Sequence, residues 1–279
     1  MTPTYSELLP APALRDRVHR YWFLRGDSRP KGPPEPIVPD GRPEIVFHFA
    51  DPFRRLEERG AATQPRTLLA AQIDRPLRLE PCGALDVVGI RFRPFGAHAF
   101  VGAPLDRLVN ATPALADVAP RLARSLESAL VAAPRSTEGR ARALDAALLE
   151  AAAPLSPRHD PRVAAAVELA GRARGAISID AMACAAGLSG RQLERVFLRE
   201  VGLAPKRFAR IVRFQAVLRA RTECGATAWA AIAHDLGYTD QAHLVRDFRA
   251  FAGVPPAAYF RTEHGFSEFL SGASAAQLR

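Results

Sequence analysis

Residues 181–205, AMACAAGLSGRQLERVFLREVGLAP, decide the reading of this chain. Ser178 caps a short helix holding Ala181, Met182 and Ala185, and Gly187 supplies the left-handed turn that ends it. Ser189 then caps a second helix, rich in arginine, which runs to Gly202. A short helix, a glycine turn and a capped basic helix are the parts of a helix-turn-helix. The same order returns in residues 232–260, IAHDLGYTDQAHLVRDFRAFAGVPPAAYF. Gly187-Leu188-Ser189 matches Gly237-Tyr238-Thr239 at a spacing of 50, and Phe197, Gly202 and Pro205 recur as Phe248, Gly253 and Pro256 at a spacing of 51. One extra residue therefore lies inside the second copy, and Thr239 is its expected hydroxyl cap.

Between the copies, Pro205 to about Thr222 reads as one helix with Phe208, Ile211, Val212 and Ala216 on its apolar side. About 18 residues at 1.5 Å each span roughly 27 Å. With the width of the modules added, two recognition helices come to lie about 34 Å apart, one turn of DNA. Upstream, Asp160 as N-cap and Pro161 at the first helical position open a further helix through about Arg174, stopped by Gly175.

Both blocks resemble the paired helix-turn-helix domain of AraC/XylS-type bacterial transcription regulators, over residues of about 160–263. In the second block Ile232-Ala233, Leu236-Gly237-Tyr238, His243-Leu244 and Phe248 are similar to the family signature, with Leu244 where a phenylalanine is usual. The front of the chain, Pro39-Asp40-Gly41-Arg42-Pro43-Glu44 followed by IVFHF and later GIRFRPFGAHAF, is similar to a sensor-like amino-terminal domain of a branch of the same family. The resemblance implies a DNA-binding regulator, with double-stranded DNA as partner, no cofactor, and control by a small-molecule effector or by homodimerisation. RNA polymerase joins the partners if the protein activates. A cytoplasmic location is expected.

Exposed early positions of a recognition helix meet base edges while its apolar positions anchor it. In the first module this selects Arg191, Gln192 and Arg195 for bases, with Leu193, Val196 and Phe197 in the core. Arginine suits guanine and glutamine suits adenine. In the second module Asp240, Gln241, His243 and Arg246 are the candidates, Asp240 having a helix cap as its alternative role. Phosphate contacts fall to Lys206, Arg207 and Arg210, and to the helix starts at Ser189 and Thr239.

Charge agrees with a polyanionic partner. The 279 residues carry 38 Lys+Arg against 29 Asp+Glu, a net charge of +9. Within 189–221 nine basic residues face only Glu194 and Glu200. All but two of the basic residues of the chain are arginine, so part of this richness reflects composition.

The first 110 residues read as strand and turn. Tyr21–Leu24, Glu44–Phe49 and Asp86–Arg93 are aromatic and β-branched runs, and Pro30, Pro33, Pro34, Pro36 and Pro39 mark a loop. A small antiparallel barrel or sandwich is expected, followed by two amphipathic helices between about 114 and 151, split near Pro134. The fold class is thus α+β in two domains. A β-rich domain with flanking helices occupies 1–155, an all-α domain of seven helices 160–263, and a tail 264–279, with the boundary at Pro154, Pro157 and Pro161.

His48 lies in an alternating aromatic strand, either facing a sensor cavity or serving as a hydrogen-bonded core or rim residue. Arg42 and Glu44 either bind an anionic or polar effector or form an internal ion pair. Trp22 and Phe92 read as packing. Enzyme motifs are missing: neither H-E-x-x-H, nor G-x-S-x-G, nor a phosphate-cradling P-loop occurs. His234 and Asp235 are adjacent and do not face each other. Two enzymatic alternatives are a metal-dependent cupin-like front domain, for which only His19, His48 and His98 are present, and a methyl-accepting repair regulator, for which Cys82 is the sole candidate in that region. A purely architectural DNA binder leaves the front half without a role. Cys82, Cys184 and Cys224 form no disulfide framework or zinc pattern, and neither a membrane span nor a secretion signal is expected.

Overall fold

A computed structural model describes residues 3–26, 34–57, 60–152, 160–224 and 228–262. The front half contains nine strands among these residues: β1 (Thr4–Leu8), β2 (Val18–Gly26), β3 (Glu35–Ile37), β4 (Glu44–His48), β5 (Arg54–Glu57), β6 (Gly60–Thr63), β7 (Thr67–Ala70), β8 (Leu77–Glu80) and β9 (Leu85–Phe92). Two open sheets form, with orders β1-β2-β9-β4-β7 and β3-β8-β5-β6. Every pairing is antiparallel. Of the two expected architectures the chain adopts stacked sheets, and among the described residues no barrel closes.

The larger sheet is apolar on both faces, following the two-residue alternation of a strand. Tyr21, Phe23, Ile45, Phe47, Val88 and Ile90 pack against helices, whereas Trp22, Leu24, Val46, Leu68 and Val87 face the smaller sheet. Trp22 lies opposite Gly89 in the register. A Cβ on Gly89 would meet the indole ring at 1.9 Å, so the strand needs glycine there to let the ring cross it.

The helical layer consists of α1 (Gly96–Val101), α2 (Leu115–Val118), α3 (Pro120–Ala132) and α4 (Thr137–Ala152). Leu115, Leu122, Leu126, Leu130, Leu144 and Leu148 bury on the sheet side, as their spacing predicts. The expected pair of helices is three pieces, because Pro120 begins α3 at its first position and separates Val118 from it. Helix α1 contradicts the reading of the first 110 residues as strand and turn. Six residues are too few to show a helical period. Strand β3 carries Pro36 inside the expected loop, at the edge of the smaller sheet where a missing N–H is tolerated. Strand β1 is likewise unpredicted.

The back half holds seven helices among the described residues: α5 (Pro161–Arg172), α6 (Ile179–Ala185), α7 (Gly190–Val201), α8 (Pro205–Cys224), α9 (Trp229–Asp235), α10 (Gln241–Ala252) and α11 (Pro256–Tyr259). Asp160 caps α5 through the Arg162 N–H, as expected. Phe197, Phe208, Ile211, Phe214, Phe248 and Phe251 form a core around α8. Burying such large side chains contributes roughly 1.5–3 kcal/mol each. Val38 and Phe95 of the front half belong to the same apolar cluster, so the two halves share packing. The boundary segment 153–159 and the tail from 263 onward lie outside the described residues, as do Pro30 and Pro33 and the side chain of Cys224. No helix of the described residues is long and apolar enough to cross a membrane.

Candidate nucleic-acid interface

The first module is α6, a turn at Gly187 with φ of 59°, and α7. Ser178 caps α6 through the Ala181 N–H. The Ser189 hydroxyl accepts from the Gln192 N–H at 3.4 Å, and the Gln192 carboxamide oxygen accepts from the Ser189 N–H at 3.0 Å. This reciprocal capping box engages the Gln192 carboxamide oxygen and the Ser189 hydroxyl within the helix start. Arg191 and Arg195 remain exposed on the outer face, while Leu193, Val196 and Phe197 are buried beneath them. Exposed Glu194 lies between the two arginines.

The second module is α9, a turn at Gly237 with φ of 67°, and α10. Asp240 caps α10, accepting the His243 N–H at 2.6 Å. The extra residue of this copy is therefore Thr239, which lengthens the turn, and the expected hydroxyl cap is replaced by a carboxylate one position later. A carboxylate at a helix start also meets the positive end of the helix dipole. The half-buried His243 ring lies 3.4 Å from the Thr239 hydroxyl and edge-on to Tyr238. Gln241 and Arg246 are exposed on the front of α10, and Leu244 and Phe248 are buried. Both long helices end on left-handed glycines, Gly202 and Gly253.

The basic row on α8 divides. Lys206 is exposed. Arg207 donates to the Asp74 carbonyl and lies 3.4 Å from the Asp74 carboxylate, stacked 4.6 Å over Phe251. Arg210 pairs with Asp247 at 2.7 Å. Arg213 donates to the Gly175 carbonyl at 2.9 Å and the Gly237 carbonyl at 3.3 Å, so one side chain joins the turns on either side of α8. In this arrangement Arg207 and Arg210 are engaged by protein acceptors. Burial lowers the Arg207 pKa, with Asp74 opposing the shift. Asp247 is absent from the sequence-based candidates. Its place in the buried row Leu244, Asp247, Phe248, Phe251 is the signal, since an acid there needs a cation from the helix it faces.

A separate cavity of about 70 Å³ opens between the two sheets. Its walls are apolar, Trp22, Val46, Phe53 and Leu79 among them, and Asp40, Arg42 and Glu44 supply the polar groups. Glu44 pairs with buried Arg91 behind the wall, not with Arg42. Burial works against the charge of Arg91, but Glu44 and Asp40 outweigh it and raise its pKa. Arg42 is lowered by burial and by neighbouring guanidinium groups, against the pull of Asp40. The Asp40 Oδ1 accepts the Arg42 N–H, whereas its buried Oδ2 accepts no hydrogen bond and lies 4.0 Å from the Arg91 Nε. His48 is a core residue, 4% exposed and edge-on to Phe53 at 5.2 Å, and burial lowers its pKa to about 4. Among the described residues no three His, Cys, Asp or Glu side chains gather as a metal-ligand group.

Comparison with known proteins agrees with this anatomy. A family described as a helix-turn-helix domain matches residues 182–262, and a domain of unknown function (DUF6597) matches residues 6–113. No curated protein matches the chain. Among solved structures, an AraC-type DNA-binding regulator from Chromobacterium violaceum is 20% identical, with 41% of this chain and 94% of that one covered and a TM-score of 0.31. ToxT from Vibrio cholerae is 9% identical over 94% of this chain and 98% of that one, with a TM-score of 0.43. The twin capped helices α7 and α10 both lie within the matched helix-turn-helix domain. The chain carries a helix-turn-helix domain over residues 182–262, a DNA-binding motif.

Proposed function

We propose that the chain is an AraC-type, sequence-specific DNA-binding transcription regulator that lays α7 and α10 in two successive major grooves on one face of a duplex. The observation that carries this reading is that both helices pack on the same 20-residue α8 while keeping Arg191, Arg195, Gln241 and Arg246 exposed. Arginine reads guanine with two hydrogen bonds and glutamine reads adenine. Lys206 and the amide-rich starts of α7 and α10, at Ser189 and Asp240, hold phosphates. Gln192, Asp240 and His243 orient the helix starts, and any base contact from them comes second to that task. The DNA-binding domain spans 160–263 and the sensing domain 1–155. Selection of bound fragments from random DNA tests the reading. Two short motifs centred about 10–10.5 base pairs apart are expected, and recovery of no motif, or of one only, overturns it.

The cavity between the sheets favours control by a small molecule over control by dimer contacts alone. An apolar chamber with one unsatisfied buried carboxylate oxygen suits a compact ligand that donates to Asp40 and accepts from Arg42. At about 70 Å³ it is smaller than the ~150 Å³ cavity that admits benzene. A thermal-shift screen of small amides and hydroxy compounds, repeated on Asp40→Asn, tests this. A stabilising compound whose effect vanishes in the variant supports the site, and the same shift in both proteins refutes it. If the protein activates, RNA polymerase is a further partner, and a homodimer through the front domain would pair two such operator contacts.

A further inference from the structure

The wall between this cavity and α8 is one residue thick. Along 38–42, Val38, Asp40 and Arg42 line the cavity, while the alternate residues Pro39 and Gly41 meet α8. The Gln215 side chain donates to the Pro39 carbonyl at 2.7 Å. Gly41, at φ of 77°, lies so close that a Cβ there would be 3.0 Å from the Phe208 ring. Along 71–74 the same alternation recurs. Ala71 and Ile73 line the cavity, Gln72 donates to the Gly41 carbonyl at 2.8 Å, and Asp74 holds Arg207 of α8. The Gln72 side chain thus ties the two segments into one partition with a cavity face and an α8 face. Only Val38 belongs to both, since it also joins the helical core.

This partition has little slack toward α8, because beside Phe208 there is not room for even a Cβ on Gly41 without crowding the ring at 3.0 Å. It also leaves two buried acceptors, the Asp40 Oδ2 and the Gln72 Oε1, without hydrogen bonds in the docked arrangement. We infer that filling the cavity beyond its present volume drives the partition against α8 and displaces that helix, breaking the Gln215–Pro39 and Arg207–Asp74 contacts and releasing Arg207 toward the DNA phosphates. The inference rests on the cavity being the sensing site and assigns how that site is read: by direct displacement of the linker between the two modules.

Two cavity-filling substitutions in the full chain test it, Ala71→Leu on the partition and Leu79→Phe on the opposite sheet, with amide hydrogen exchange as the readout. Peptides covering 205–216 should exchange severalfold faster in both variants, while 44–48 and 85–92 keep their protection. In an Arg207→Ala, Gln215→Ala background, where the contacts are already cut, the fillers should add nothing further. Unchanged exchange at 205–216, or an equal acceleration in both backgrounds, overturns the inference. Should either filler expose 44–48, Ile73→Phe replaces it with the same readout, and unchanged exchange at 205–216 overturns the inference. If the fillers move α8 but no small molecule alters DNA binding, the sensing reading fails and the partition stands. If a small molecule alters DNA binding while α8 stays unmoved, the partition fails and the sensing reading stands.

Discussion

Arg210 of α8 and Asp247 of α10 form a 2.7 Å ion pair in which the carboxylate is 6% exposed and the guanidinium 35%. The pair fixes α10 to α8 beside the Phe214–Phe248 and Phe214–Phe251 ring contacts. Removing one partner of a buried pair strands the other, which is costly, although solvent reaches Arg210 and reduces the effect. Asp247→Ala should lose roughly 1–3 kcal/mol of stability and weaken operator binding, with chemical denaturation and DNA titration as the checks. Full retention of both would show that the ring contacts alone position α10.

Lys206 and Arg207 are neighbours with different expected effects. Lys206→Ala should weaken binding to all sequences alike and reduce the slope of log affinity against log salt by about 1. Arg207→Ala should leave that slope unchanged in the unliganded protein, because its guanidinium is held by Asp74. Titrations at three salt concentrations separate them.

Asp240 separates capping from base reading. Asp240→Ala should cost about 1 kcal/mol of stability through loss of the cap. Asp240→Asn keeps the capping oxygen and should retain both stability and sequence preference. A base-reading carboxylate would instead change its preferred base in the asparagine variant, as judged by DNA selection.

Acid should weaken the fold through His48. Its folded pKa, lowered by burial to about 4, lies below the unfolded value of 6.5. The unfolded chain therefore binds more protons between those values, and stability falls as pH drops through that window. No loss from this group is present above pH 6.5. On the order of 2 kcal/mol is lost by pH 5, at about 1.4 kcal/mol per unit. His48→Gln should flatten that part of the stability profile, measured as denaturation midpoints at pH 7 and pH 5. His19, driven down to about 2 by burial and nearby arginines, adds its own slope, which the substitution leaves in place.

The modules are legible in the sequence because short-range chemistry specifies them. Ser178, Ser189 and Asp160 cap the helices they precede, and Gly187, Gly202, Gly237 and Gly253 take left-handed conformations where turns require them. Sequence alone puts the cap of α10 one residue early, since Thr239 and Asp240 are both good caps and only tertiary packing chooses between them. What stays hidden is long-range. Arg207 meets Asp74 across 133 positions and Gln215 meets Pro39 across 176, and no local pattern pairs them. Glu44 has Arg42 two residues away, yet its partner is Arg91 on the adjacent strand, because strand alternation and register bring them together.

The central claim is that one chain reads two consecutive major grooves, and base-resolved interference footprinting on a selected operator tests it most directly. Two contact windows should appear on one face of the duplex, centred about 10–10.5 base pairs apart, with Arg195→Ala erasing one and Arg246→Ala the other. A single window, windows on opposite faces, or both variants erasing the same window would contradict the account.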